Sequence, residues 1–263
     1  MYKLLHPTQP NSGMFAFIWQ TLRAMYHFPN DKYYVYFGRE SCYFDQEMYL
    51  TQEIDNVWDY YFEQPHIPNR PPDSEISEEI GILHDEFSEF REVHMSDKTI
   101  YQKRRNEYNE IINKHLRLLP HVSEKVNDFY EKNFKDKKIL GLHLRGTDHP
   151  NKLPMQQYIS TINKYIDEYD KIFVTSDEEY RVEYIRDVYK DKVIEYPTFR
   201  SKNEAPLHYQ SSHNWSKYYI GEDVIVEAYL LSKVQMLVCG TASNVNYFVR
   251  ALNKDLPFHV INN

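Results

Sequence analysis

The sequence predicts an α/β protein whose C-terminal half is built on a parallel sheet. Three observations carry that expectation. Between residues 139 and 261, short β-branched or aliphatic runs alternate with stretches of helical period. Upstream, from 96 to 134, the pattern is helical, so the organisation changes near 134–138. The chain has 263 residues, 16% of them aromatic, enough to bury a sizeable core without disulfides or metal. The change near 134–138 divides the chain into an N-terminal domain, 1–135, and a C-terminal domain, 136–263.

Taken in order, residues 6–13 read as a loop and 14–28 as a helix by their apolar spacing. Residues 33–37 are aromatic and β-branched, bounded by Pro29-Asn30-Asp31 and Gly38, and read as a strand. Residues 56–63 are rich in aromatics. Pro65, Pro68, Pro71 and Pro72 then make a rigid loop. Over 96–134, Tyr108, Ile111, Ile112, His115 and Leu119 form one stripe. Pro120 breaks the run, and Val122, Val126, Phe129, Tyr130 and Phe134 form a second. Strands follow at 139–145, 171–175, 193–196, 236–239 and 258–261. Helices are expected at 154–169, 177–189, 223–232 and 243–252, with a polar, irregular segment at 197–219.

Composition excludes several classes. With 31 Lys and Arg against 39 Asp and Glu, the net charge is −8, which disfavours nucleic acid or an anionic membrane as partner. Only 7 glycines are present, and neither G-x-x-x-x-G-K-[ST] nor G-x-G-x-x-G occurs. No strict Asp-x-Asp pair occurs, so nothing suggests a metal-bridged diphosphate. Cys42 and Cys239 match no zinc or redox spacing. They read as ordinary thiols of a reducing, cytoplasmic setting, the alternative being a single disulfide. The longest apolar runs fall far short of the roughly 20 residues of a membrane span, so no transmembrane segment is expected. An anchor outside this sequence is left open.

Three strand ends carry the chemistry. The first is Gly141-Leu142-His143-Leu144-Arg145-Gly146-Thr147-Asp148. Alternation puts His143 and Arg145 on one face and Leu142 and Leu144 on the other. A charged Arg at the carboxyl end of a buried strand is costly unless an anion meets it, and that end is where open α/β sheets bind ligands. The competing reading is an Arg paired with Asp148. The second is Thr175-Ser176-Asp177-Glu178-Glu179, where Ser176 and Glu179 have the spacing of a capping box, or else Ser176 and Asp177 face a ligand. The third is Gly240-Thr241-Ala242-Ser243-Asn244, a strand-to-helix turn suited to phosphate, or simply to a helix N-cap. One basic side chain with two helix N-termini suits a nucleotide diphosphate. His208 and His213, in the polar segment, lack ligand-like companions.

The stretches NFKDKKILGLHLRGTD, FVTSDEEY and VIVEAYLLSKVQMLVCGTASNVNYFVRAL resemble, in order and spacing, three motifs of the fucosyltransferase superfamily. The likeness covers about residues 120–255. Upstream, Pro10-Asn11-Ser12-Gly13 is similar to the first glycine loop of that group, without its Gly-x-Gly form. Asn56 to Pro65, with Trp58, Tyr60, Tyr61, Phe62 and Glu63, is similar to an aromatic segment of its N-terminal half, the competing reading being core aromatics.

The resemblance implies two Rossmann-like halves of glycosyltransferase type B, an acceptor-side N-terminal domain and a C-terminal domain binding the nucleotide sugar. It implies an inverting, metal-independent transfer of fucose from GDP-fucose to a glycan hydroxyl, with no other cofactor. Arg145 would hold the donor phosphates with His143 beside the nucleotide. Asp177 and Glu227 would lie near the guanosine, Thr241 and Ser243 near the pyrophosphate, and Ser176 and Gly13 would line the donor site. In α1,6-type members a second Arg follows the first, and a Lys and a carboxylate base come later. Here Gly146 replaces that Arg, and His149-Pro150-Asn151-Lys152-Leu153 replaces the later run. The proton acceptor would then be His149, Asp148 or Glu63, unless departure of the leaving group carries the reaction. The same scaffold with another GDP- or UDP-sugar, or a silent glycan- or nucleotide-binding protein, are the alternatives.

Overall fold

The computed structural model describes residues 1–7, 11–82, 97–147, 152–207, 216–240 and 243–262. The chain forms two compact units, one of Met1–Ser123 with Ser216–Glu222, the other of Glu124–Trp215 with Asp223–Asn263.

The first unit opens with a strand where a loop was expected. β1 (Tyr2–Pro7) includes His6 and Pro7 and is followed by α1 (Met14–His27) and β2 (Tyr33–Val35). α1 is apolar on nearly every side and buries Phe17, Ile18 and Leu22 completely. After α2 (Gln46–Gln52) and 3-10 turns at Val57–Tyr60 and Asp73–Glu75, β3 (Ile76–Ile82) completes a parallel sheet in the order β2-β1-β3. β3 carries Ser77, Glu78 and Glu79, all exposed, so no apolar period announces it. Its pairing with β1, Lys3 opposite Glu78 and Leu4 opposite Glu79, is what makes it a strand. α3 (Lys98–His115) then packs against α1.

The outer edge of β2 is finished by side chains instead of a strand. Gln64 accepts from Val35 N at 2.9 Å and donates to Val35 O at 2.8 Å, and Asn56 donates to the same carbonyl. Asp59 accepts from both amides and sits largely buried, which raises its carboxyl to about 6.

α4 (Pro120–Asn133) leads to the second unit, whose sheet is the frame of the candidate site. Its strands are β4 (Ile139–Leu144), β5 (Lys171–Ser176), β6 (Val193–Glu195), β7 (Met236–Gly240) and β8 (Phe258–Ile261). All pair in parallel, in the order β6-β5-β4-β7-β8. Numbered within the unit this is 3-2-1-4-5, a doubly wound order whose reversal lies between β4 and β7.

The crossovers are α5 (Met155–Ile162), α6 (Glu179–Tyr189), α7 (Lys217–Leu231) and α8 (Asn244–Leu252). Leu140, Leu142, Leu144, Ile172 and Val174 form one fully buried layer with Tyr158, Ile162, Val182 and Ile185. On the opposite face a Cβ at Gly141 would lie 2.7 Å from Val234 Cγ2, so only glycine lets that packing close.

Two helices depart from expectation. α5 is shorter than predicted because 3-10-type bonds, Lys164 N to Thr161 O and Tyr165 N to Ile162 O, tighten and end it. α7 starts at Lys217, six residues early, because its first turn is capped from far away: Asp45 accepts from Ser216 Oγ and, at 3.2 Å, from Tyr218 N. Cys42 and Cys239 are both free thiols, which removes the disulfide alternative. Among the described residues no helix is long and apolar enough to cross a membrane.

Candidate active site

The polar groups of the second unit gather at the carboxyl ends of β4, β5 and β6, the edge where doubly wound sheets bind ligands. At the end of β4, Arg145 is half-buried. It pairs with Asp177 at the end of β5, Nη1 lying 3.7 Å from Oδ2. Asp177 also accepts from Gly146 N at 2.9 Å and from Thr147 Oγ1 at 2.6 Å. Gly146 is needed for this approach, since a Cβ there would lie 2.6 Å from Asp177 Oδ1 and from Glu178 Cδ. The position where a second Arg was the pattern of the resemblance therefore has no room for any side chain. Gly146→Ala is expected to lower the free energy of unfolding by about 1–3 kcal/mol, read by urea titration. An unchanged midpoint would mean that the β5 end yields freely.

His143 lies inside β4 and is buried. Burial, and then the charge of Arg145, push its imidazole down to about 3, so the ring is neutral at any working pH. Across the reversal of strand order, β7 is paired to β4 with Cys239 opposite His143. After it, Ser243 stands at the N-cap of α8 without a side-chain cap bond, its Oγ buried and unpartnered. Asn246 donates to Gly240 O at 2.9 Å, and its side chain also lies within hydrogen-bonding reach of the His143 ring. The buried Ser243 hydroxyl without a partner is costly inside a protein.

Ser176 does not form a capping box. β5 runs on through Ser176 and α6 begins only at Glu179, so the Ser176 hydroxyl accepts from Glu178 N at 3.1 Å. Glu227 is buried on α7 and bound to a residue that spacing did not single out. Arg200 Nη2 lies 3.2 Å from Glu227 Oε1 and donates to Tyr196 O, while Nη1 lies 3.3 Å from Glu195 Oε2. Burial raises Glu227 to about 8 against the pull of Arg200, helped by Asp223, Asp177 and Glu195. Arg200 left no local trace because its partners come from β6 and α7.

Asp148, His149 and Thr241 lie outside the described residues. Gly13 and Glu63 belong to the first unit. Gly13 precedes α1 as its N-cap, and a Cβ there would touch nothing within 4 Å. Glu63 is exposed on the rim of a cavity of about 430 Å³ lined also by Asp59, Phe62, Pro65 and His66. Among the described residues no group of three or more His, Cys, Asp or Glu side chains is arranged to hold a metal ion.

No family model matches the chain, and no curated protein matches it by sequence. Solved structures do match. The NodZ fucosyltransferase from Bradyrhizobium superposes with a TM-score of 0.59 at 15% identity, over 99% of this chain and 94% of that one. A NodZ alpha-1,6-fucosyltransferase crystal soaked with GDP-fucose gives 0.57 at 15% identity, over 95% and 92% of the two chains. Arabidopsis thaliana FUT1 in complex with GDP gives 0.60 at 11% identity, covering 98% of this chain and 70% of that one. The chain has the NodZ fucosyltransferase fold. In this fucosyltransferase fold the sheet that carries Arg145 is the C-terminal one, and its 3-2-1-4-5 order sets the reversal beside His143 and Ser243.

Proposed function

We propose that the protein is a glycosyltransferase that moves fucose from GDP-fucose to a glycan hydroxyl, with inversion and without a metal. The observation that carries the reading is the position of Arg145. It ends the first strand of a doubly wound sheet, beside the strand reversal, paired with Asp177 at the end of the neighbouring strand and near enough to the buried His143 ring to act on its charge. The scaffold shared with proteins solved with GDP or GDP-fucose supports the same donor.

The chemistry follows from charge. As the bond from the anomeric carbon to the diphosphate lengthens, negative charge grows on the leaving oxygen. A guanidinium can take it bidentately, and the N-terminus of α8, with the Ser243 hydroxyl, offers further donors. With the charge met by these groups, we infer that no metal is needed to bridge the phosphates. Neutral His143 serves to hold the nucleotide and not to move protons in the working range. A guanine base presents two adjacent N–H groups, and Glu227, held by Arg200 and raised to about 8, accepts them as a carboxylate once it ionises. The acceptor hydroxyl attacks the opposite face of the anomeric carbon and gives its proton to Asp148 or His149.

A thermal-shift series with GDP, GDP-fucose, GDP-mannose and UDP-sugars tests the reading. GDP and GDP-fucose are expected to raise the melting temperature in proportion to the logarithm of their concentration, with no change on adding EDTA. Stabilisation by uridine nucleotides alone would end the fucose assignment. Stabilisation by GDP-fucose without hydrolysis or transfer to any glycan would leave a silent nucleotide-binding protein.

A further inference from the structure

Both oxygens of Asp177 are committed to one loop. They accept from Gly146 N at 2.9 Å and Thr147 Oγ1 at 2.6 Å, and Oδ2 stands 3.7 Å from Arg145 Nη1. The next residue, Glu178, is buried and fastens the other end of the same loop. It accepts from Lys152 Nζ, and from Arg181 Nε at 2.7 Å, while Arg181 Nη1 donates to Leu153 O at 3.2 Å. Two consecutive acids at the end of β5 thus grip the residues on both sides of 148–151. A carboxylate used in this way is held by the loop, each oxygen already accepting one hydrogen bond from it.

We propose that Asp177 is a positioning residue and the resident counter-ion of Arg145. It keeps residues 145–147 in register and pairs with the guanidinium until a diphosphate displaces it. This rests on the nucleotide-sugar reading for the identity of the anion, and it replaces the expectation that Asp177 lies against the guanosine.

The exchange is physically inexpensive. The Arg145 and Asp177 side chains are 33% and 21% exposed, and a partly solvated ion pair at 3.7 Å is worth little. A diphosphate brings more charge and a bidentate geometry.

Asp177→Asn keeps an oxygen for Gly146 N and an amide for the Thr147 hydroxyl but removes the competing charge. It is expected to bind GDP and inorganic pyrophosphate about three- to tenfold tighter at low ionic strength, with guanosine unchanged and the gain shrinking as salt is added. Asp177→Ala, which also releases the loop, is expected to bind both anions more weakly than wild type, again with guanosine unchanged. In an Arg145→Ala background the gain from Asp177→Asn disappears.

Titration calorimetry with GDP, pyrophosphate and guanosine as separate probes reads all three arms. Loss of guanosine binding in either Asp177 variant would overturn the proposal, as would Asp177→Asn weakening pyrophosphate as much as Asp177→Ala does. A wild-type protein that binds pyrophosphate but neither GDP nor guanosine would end the nucleotide reading, while the pyrophosphate arms still decide the role of Asp177. Binding of none of the three would overturn both.

Discussion

Arg145→Ala is expected to abolish stabilisation by GDP and GDP-fucose while leaving the free protein almost as stable as wild type. The two halves of that expectation have separate causes. The side chain is one-third exposed and its ion pair to Asp177 is long, so the fold loses on the order of 1 kcal/mol or less when it is removed. Against a diphosphate the same guanidinium makes charge-assisted bonds, each worth about 1.5–3 kcal/mol. The GDP dissociation constant should therefore rise by roughly two orders of magnitude, and the ligand-induced shift should vanish at concentrations that saturate wild type.

If the protein turns over, the rate of transfer should fall by about 10²–10³, because the charge that Arg145 meets is larger in the transition state than in the bound donor. Arg145→Lys, which keeps the charge and loses the fork, should recover part of the binding and less of the rate. A GDP shift of undiminished size in Arg145→Ala would remove the guanidinium from the site, and the proposed transfer with it.

Arg145 was legible in the sequence for a physical reason. A charged side chain two residues after a run of buried aliphatics must be answered by something, and strand alternation fixes which face it leaves on. The same local logic located β4, β5 and β7, which bury continuous aliphatic runs, while the half-buried β6 and β8 showed only as short β-branched or aromatic runs. It failed wherever the stabilising partner is distant in the chain. β3 exists because β1 offers it a ladder, and its own Ser77, Glu78 and Glu79 say nothing of it. α7 begins at Lys217 because Asp45 caps it. Ser176 and Glu179 have the spacing of a capping box, yet the strand runs through Ser176 and the helix starts only at Glu179. Arg200 was invisible for the same reason as α7's start: its value lies in Glu195 and Glu227, one on a strand and one on a helix.

That last cluster yields an expected effect on the fold as well. Arg200 is the buried cation of a group that holds Glu195 and Glu227, with Asp223 and Asp177 near enough to add to the negative potential at Glu227. Glu195 has a second partner, Arg186, at 2.6 Å, whereas Glu227 depends on Arg200 for an opposite charge. Arg200→Met keeps much of the stem and deletes the charge, so that Glu227, near three other acids, stays protonated in the folded protein. Because Glu227 titrates near 8, the loss traceable to its charge is about 1.4 kcal/mol at pH 9 and less below, a fall in melting temperature of a few degrees.

The cost must depend on pH, and its sign can be worked out. Glu227 already titrates near 8 in the folded protein, above the ~4.3 of an unfolded glutamate. A carboxyl raised on folding contributes stability that is complete below the unfolded value and lost as pH rises through the folded one. Without Arg200 the folded value climbs further. The penalty should then be small near pH 6, where Glu227 is protonated with or without Arg200, and should grow between pH 7 and 9, where wild type can ionise the group and the variant cannot. Glu227→Gln in the Arg200→Met background should restore most of the loss at pH 8.5, because a neutral amide needs no counter-ion. Melting temperatures of the single and double variants across that range decide it. A penalty that is constant from pH 6 to 9, or that Glu227→Gln leaves untouched, would mean that Arg200 works by packing its stem and not by holding a charge.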